Sequence, residues 1–198
     1  RESYEKILSA FGKGEADVLV GTQMIVKGHD FPNVTLVGVL AADISLYASD
    51  YRAAERTFQL LTQAAGRAGR GEQAGEAVIQ TYMPEHYSIQ AAVKQDYEAF
   101  YRQEIAYRNL MGYPPVETMM GIYLSAGDQE LLEEKTKALG IFIREMQQQE
   151  VLMIGPADAA LTRLNDRYRK VIYLKSRQEE KLLLIKNKTE HYLEMDAG

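Results

Sequence analysis

The sequence contains no cysteine and no tryptophan, and only five prolines and three histidines in 198 residues. Without cysteine the chain can build no disulfide scaffold, zinc ribbon or thiol nucleophile. His29, His86 and His191 are too far apart in sequence for metal-ligand spacing, so each reads as solvated or structural, and no metal site is expected within the chain. There is no phosphate loop, because Gly12-Lys13-Gly14 is too short and no hydroxyl follows the lysine. A nucleophile elbow is also missing. No apolar run approaches the ~20 residues that cross a bilayer, and no basic-then-apolar signal opens the chain. A membrane is therefore not an expected partner, and the Asn-x-Thr triplets at Asn33 and Asn187 read as accidental. The acidic pairs Glu133-Glu134 and Glu179-Glu180 stand among lysines in helical stretches, as on a solvated face. Taken as a self-contained enzyme, the chain lacks catalytic machinery.

What is present has the balance of an ordinary globular protein, 46% hydrophobic and 26% charged, with 13 tyrosines carrying much of the aromatic content. The net charge of −5 argues weakly against a nucleic-acid coat. That average conceals a local excess. Between Arg163 and Lys188 nine basic residues face three acidic ones, a local charge of +6.

Hydrophobic patterning predicts alternating strands and helices in the first half. Asp17–Thr22 and Val34–Ala42 are short apolar runs of the kind found in buried parallel strands, separated by a loop punctuated by Gly28 and Pro32. Arg52 to about Ala68 carries helical spacing and ends among Gly66, Gly69 and Gly71. Glu76–Tyr82 reads as a third strand and residues 86–111 as one helix. Gly112-Tyr113-Pro114-Pro115 then stops that helix, since proline bars its predecessor from helical angles. A domain boundary is placed there, giving domains 1–112 and 113–198. The second domain reads as strand 118–125, helix 128–149, strand 151–154, strand 170–175 and a helix from about Gln178. The expected fold is α/β with a parallel sheet and flanking helices, followed by a small α+β domain.

The strongest chemical signal is Gln63-Ala-Ala-Gly-Arg-Ala-Gly-Arg70. Arginines three apart on a helix share a face, so Arg67 and Arg70 could address one anion, and a planar guanidinium suits a transferring phosphoryl group. The structural alternative is a helix C-terminus where arginine complements the dipole and glycine caps. Gln63–Arg70 resembles motif VI of superfamily 2 helicases, and Gly21-Thr22-Gln23-Met24-x-x-Lys27-Gly28-x-Asp30-Phe31-Pro32-Asn33-Val34 resembles their motif V. Both come in the expected order, with apolar strands before and between. The fuller wording, through Asp43 and Asp50–Arg56 and on to Tyr113-Pro114-Pro115, Gly155-Pro156 and Arg163–Arg169, resembles one branch in particular. That branch is the PriA family of replication-restart DNA helicases, and the likeness is densest over residues 15–81.

The resemblance implies a RecA-like helicase lobe and assigns roles by position. Gly21 and Thr22 would hold a phosphate of the translocating DNA strand, with Lys27 nearby. Gly28 and Asp30 would lie where two lobes meet, and Asp43 would assist that coupling. Gln63, Arg67 and Arg70 would face the ATP triphosphate, Arg70 as the arginine finger. Each position also has a structural reading, as a strand end, turn cap or solvated charge. The family's phosphate loop, Mg²⁺-binding acidic motif and zinc-binding cysteines all precede motif V and are missing here. The expectation is thus the C-terminal fragment of an ATP-dependent 3′–5′ helicase, with ATP and Mg²⁺ used by the full-length protein and zinc ligands outside this chain. The fragment alone should not hydrolyse ATP.

The basic stretch is the second candidate site. Arg163, Arg167, Arg169 and Lys170 could meet phosphates while Tyr168 and Tyr173 stack on bases. The implied partners are forked or single-stranded DNA, the acidic tail of the single-stranded DNA-binding protein, and other primosome proteins, in a bacterial cytoplasm. Two alternatives stay open: a non-catalytic module binding nucleic acid or a partner protein, and another superfamily 2 helicase acting on other branched DNA or on RNA.

Overall fold

A computed structural model describes residues 2–26, 31–68, 74–146 and 149–196. The chain divides into two compact units, Arg1–Glu104 and Ile105–Gly198.

The first unit is helical around a small parallel sheet. α1 (Glu2–Gly12) leads, followed by a 3-10 turn over Gln23–Val26. β1 (Leu36–Val39) and β2 (Glu76–Ile79) pair in parallel, Leu36 opposite Glu76 and Val39 opposite Ile79. Between them a second 3-10 turn (Ala42–Tyr47) and α2 (Ala53–Ala65) make the crossover that parallel strands require. α2 buries Thr57, Phe58, Leu61 and Ala64 on one face, the periodicity seen in its sequence. Phe58 stacks on Phe100 with ring centroids 4.3 Å apart, and Leu61, Ile89 and Ala92 complete the core.

The structure corrects two expectations here. Asp17–Thr22 forms no strand, and Val18 and Val20 stand 74% and 87% exposed. A strand exists only through a paired neighbour, and none of the described residues supplies one to this segment. The single helix expected over 86–111 is two, α3 (Tyr87–Lys94) and α4 (Tyr97–Met111). Gln95 adopts a left-handed conformation that ends the first. The Asp96 carboxylate then accepts from the Ala99 amide at 2.9 Å, capping the second. Short-range apolar periodicity carries through such a break, so the sequence pattern conceals it.

His86 caps α3 through its side chain, which accepts from the Ser88 amide at 3.3 Å. Burial pushes its imidazole below the ordinary value, against a smaller upward pull from Glu104. The neutral ring is therefore favoured in the folded state, and its contribution is complete above the unfolded value of ~6.5. Stability should fall as pH drops below that value. Thermal melts between pH 7.5 and 5 should show the decline, and His86→Asn, which can still cap, should flatten it over that range.

The second unit is a three-stranded antiparallel sheet with helices on one face. β3 (Thr118–Ala126), α5 (Gln129–Met146), β4 (Leu152–Leu164), β5 (Arg167–Ser176) and α6 (Glu179–Asp196) follow one another, and the strands lie in the order β3-β5-β4. This is the β-α-β-β-α order read from the sequence, although β4 runs far past the expected Ile154. Asn165 and Asp166, both at positive φ, join β4 to β5 in a two-residue turn, the geometry that matches strand twist. Ile172, Leu174, Leu139, Ile143, Leu182 and Ile185 fill the core between sheet and helices. The tail of α4 is pinned to this unit. Lys175, buried in the sheet, donates to the Met111 carbonyl at 3.0 Å and lies 3.7 Å from the centroid of the Tyr113 ring. Arg108 donates to the Pro114 carbonyl at 2.9 Å. Burial holds the Lys175 ammonium below its ordinary value, opposed by Glu117.

Candidate nucleotide and nucleic-acid surfaces

α2 positions the first group. Gln63 and Arg67, with Phe58, Gln59, Thr62 and Gly66, line a shallow, open depression of about 340 Å³. The helix itself ends at Ala65. Gly66 keeps right-handed angles and donates to the Thr62 carbonyl at 3.0 Å, and Arg67 donates to Ala64 in the turn that follows. Arg67 thus stands beyond the last helical residue. Helical spacing therefore does not place Arg67 and Arg70 on one face, and Arg70 lies outside the described residues. Gln63 is exposed and Arg67 half-buried.

The motif V segment is described over Gly21–Val26 and Phe31–Val34. Gly21 and Thr22 are exposed and lead into the 3-10 turn, where the Ile25 amide donates to the Thr22 carbonyl at 3.0 Å. A Cβ on Gly21 would lie 2.7 Å from Cγ2 of Ile25, so a larger residue there would have to displace that side chain. Tyr4 reaches over from α1 to donate to the Met24 carbonyl at 3.0 Å. Lys27, Gly28 and Asp30 lie outside the described residues.

Asp43 is 3% exposed. Its Oδ1 accepts from the Thr81 hydroxyl at 2.9 Å and from the Tyr82 amide at 3.0 Å. These bonds, the Tyr82 amide first, hold the carboxylate below its usual value against the cost of burial. In this unit Asp43 ties the turn after β1 to the end of β2.

Strand alternation splits the basic stretch of β4 and β5 between two faces. Arg163 pairs across the ladder with Tyr168, and its guanidinium covers that ring at 5.2 Å while bonding Asp166 at 3.1 Å. Tyr168 and Lys170 share the face that carries α5. There Lys170 meets Glu133 of α5 at 2.6 Å and Asp158 at 3.2 Å, which raises its ammonium and lowers the Glu133 carboxyl. Lys181 is paired with Glu150 at 2.7 Å, and Lys186 with Glu190 at 2.9 Å. Much of the +6 is therefore answered locally. Arg167 and Arg169 point to the opposite, open face. Arg167 donates to the Ser125 carbonyl at 2.6 Å, and Arg169 lies 5.9 Å from the ring centroid of Tyr123. Tyr123 is the residue that sequence reading missed. Its alternation within β3 is legible, but its place beside Arg169 depends on the β3–β5 register. Among the described residues no group of three or more His, Cys, Asp or Glu could hold a metal ion. No helix there is long and apolar enough to cross a membrane.

A parallel strand pair with its crossover helix, followed by an antiparallel sheet covered by helices on one face, is a piece of a RecA-like helicase lobe leading into an α+β domain. Comparison with known families agrees: residues 1–72 match the helicase conserved C-terminal domain, and residues 109–193 match the primosomal protein N C-terminal domain. The chain belongs to the PriA family. It is 47% identical over 96% of its length to the replication restart protein PriA of Bacillus subtilis (strain 168), covering 24% of that protein. Against the Synechocystis protein of the same name identity is 42%, over 84% of this chain and 20% of the relative. The Borreliella burgdorferi protein is 34% identical over 96% of this chain and 29% of its own length. The chain thus spans about a quarter of the length of these curated relatives.

Proposed function

We propose that this chain is the C-terminal part of an ATP-dependent 3′–5′ DNA helicase of bacterial replication restart. In this reading it supplies one wall of the nucleotide site, part of the grip on the DNA strand, and a domain that binds DNA or primosome partners. The observation that carries it is that Gln63 and Arg67 line one open depression at the end of α2, within the segment that matches the helicase domain. A polar amide and a guanidinium lining one depression fit the edge of a triphosphate. Arg67 and Arg70 meet the developing charge on the γ-phosphoryl group, and Gln63 orients there. Gly28, Asp30 and Asp43 link the nucleotide to the strand held by Gly21, Thr22 and Lys27.

ATP and Mg²⁺ belong to the whole enzyme in this reading, and ATP supplies the phosphoryl group whose transfer drives translocation. The chain has no cysteine, and among its described residues no group of three or more His, Cys, Asp or Glu could hold a metal ion. The names of the relatives support the restart role, and the implied partners are forked or single-stranded DNA, the tail of the single-stranded DNA-binding protein, and primosome proteins in the cytoplasm.

The test compares two proteins. The pure 198-residue chain is expected to release no phosphate from ATP, with or without DNA, while the full-length helicase turns ATP over in a DNA-dependent way. Steady turnover by the chain alone would overturn the assignment.

A further inference from the structure

The face of the second unit's sheet turned away from α5 and α6 has a composition that a core-facing or purely solvated surface would not need. In β3 it carries Met119, Gly121, Tyr123 and Ser125, and in β5 Arg167, Arg169, Val171, Tyr173 and Lys175, because directly opposed residues of an antiparallel ladder share a face. Val171 and Lys175 are buried there, Lys175 against Met111 and Tyr113, so the face is open at its Tyr123–Arg167 end. No carboxylate stands among them. Tyr123 is 56% exposed, and its hydroxyl meets that of Tyr173 at 3.0 Å, with the rings edge to face at 6.2 Å. The two tyrosines lie over Gly121. A Cβ there would come within 3.0 Å of the Tyr123 ring and 3.2 Å of the Tyr173 ring, so glycine lets both settle against the strand. At the end of the same face, Arg169 approaches Tyr123, and Arg167 is exposed beside Ser125.

We infer that this open face is a stacking platform for unpaired nucleotides, on which Tyr123 and Tyr173 receive bases while Arg167 and Arg169 hold the neighbouring phosphates. The inference rests on the proposed reading that this domain binds DNA, and it names the form of DNA and the residues that take it. The positive end of the face complements a phosphate backbone, and the exposed Tyr123 ring, with the half-buried Tyr173 ring against it, offers every base a π-surface without sequence preference. An acidic peptide would use the arginines and leave the rings idle. The platform also moves the stacking role from Tyr168, which lies on the face that carries α5, to a pair brought together by strands fifty residues apart.

The experiment uses the whole chain and fluorescence anisotropy with a labelled oligo-dT, an abasic oligonucleotide of equal length, and an acidic peptide. Tyr123→Ala and Tyr173→Ala should each weaken oligo-dT binding by about tenfold and leave abasic binding unchanged, while Tyr123→Phe stays near wild type. Gly121→Ala displaces the rings without removing them and should weaken oligo-dT binding with an unchanged melting temperature, which separates a lost platform from a lost fold. Arg167→Gln with Arg169→Gln should lower affinity for both oligonucleotides and flatten the salt dependence. Equal binding of oligo-dT and abasic strands, indifferent to the tyrosine variants, overturns the platform and leaves DNA binding by the domain standing. Binding of the acidic peptide with no binding of either oligonucleotide overturns both.

Discussion

On the proposed reading, the full-length protein carrying Arg70→Ala should lose about 10³-fold in kcat for ATP hydrolysis, the lower end of what an arginine finger contributes to phosphoryl transfer. Arg67→Ala should also be strongly impaired. The pair should not be additive, because two cations serving one developing charge act as a unit. The loss should fall on kcat more than on KM, since the charge they meet grows toward the transition state. Lysine should rescue poorly at either position, as it lacks the planar fork. Affinity for DNA, measured by anisotropy without nucleotide, should stay near wild type, which separates a nucleotide role from a general loss of structure. Unchanged ATPase in both variants would make the arginines structural and favour a binding module without catalytic duty.

The second large effect is expected from Gly155→Ala. Gly155 sits in β4, where the ladder to β5 slips its register between Ile154 and Ala157, and its φ is +100°. An added Cβ would lie 2.9 Å from the Val171 carbonyl oxygen and 3.0 Å from the Ala157 amide nitrogen. Both are backbone atoms of the central sheet, so neither can turn aside as a side chain would. The substitution combines a forbidden backbone conformation with overpacking, each costing on the order of 1–3 kcal/mol. A loss of several kcal/mol should appear as a lower melting temperature and reduced protection of β4 and β5 amides in hydrogen exchange. A melting temperature within a degree of wild type would contradict it. The same position explains why Gly155-Pro156 stands out in the sequence: a bulge that re-aims the strand demands the residue without a side chain.

Sequence pattern alone was enough for the class of fold. The amphipathic period of α2, the apolar runs of β1 and β2, and the strand–helix–strand–strand–helix order after Pro115 are local properties, set by which residues can share one buried face. The wording of Gly21–Val34 and Gln63–Arg70 likewise carried the family, because glycines and arginines at fixed spacing are visible without coordinates. Pairing and register were not legible. Asp17–Thr22 has the composition of a strand yet forms none, since a strand is a relation between two segments and not a property of one. Nor does the sequence show that α2 ends at Ala65, two residues before Arg67, or that Asp96 opens a new helix. The basic stretch is the clearest case. A count of charge gives +6, whereas the fold sends Lys170 to Glu133 and Asp158, buries Lys175 against Tyr113, and turns Arg167 and Arg169 to the other side. Charge is additive along a chain, but a surface is made by alternation and long-range pairing, and only the tertiary structure decides which charges stand together.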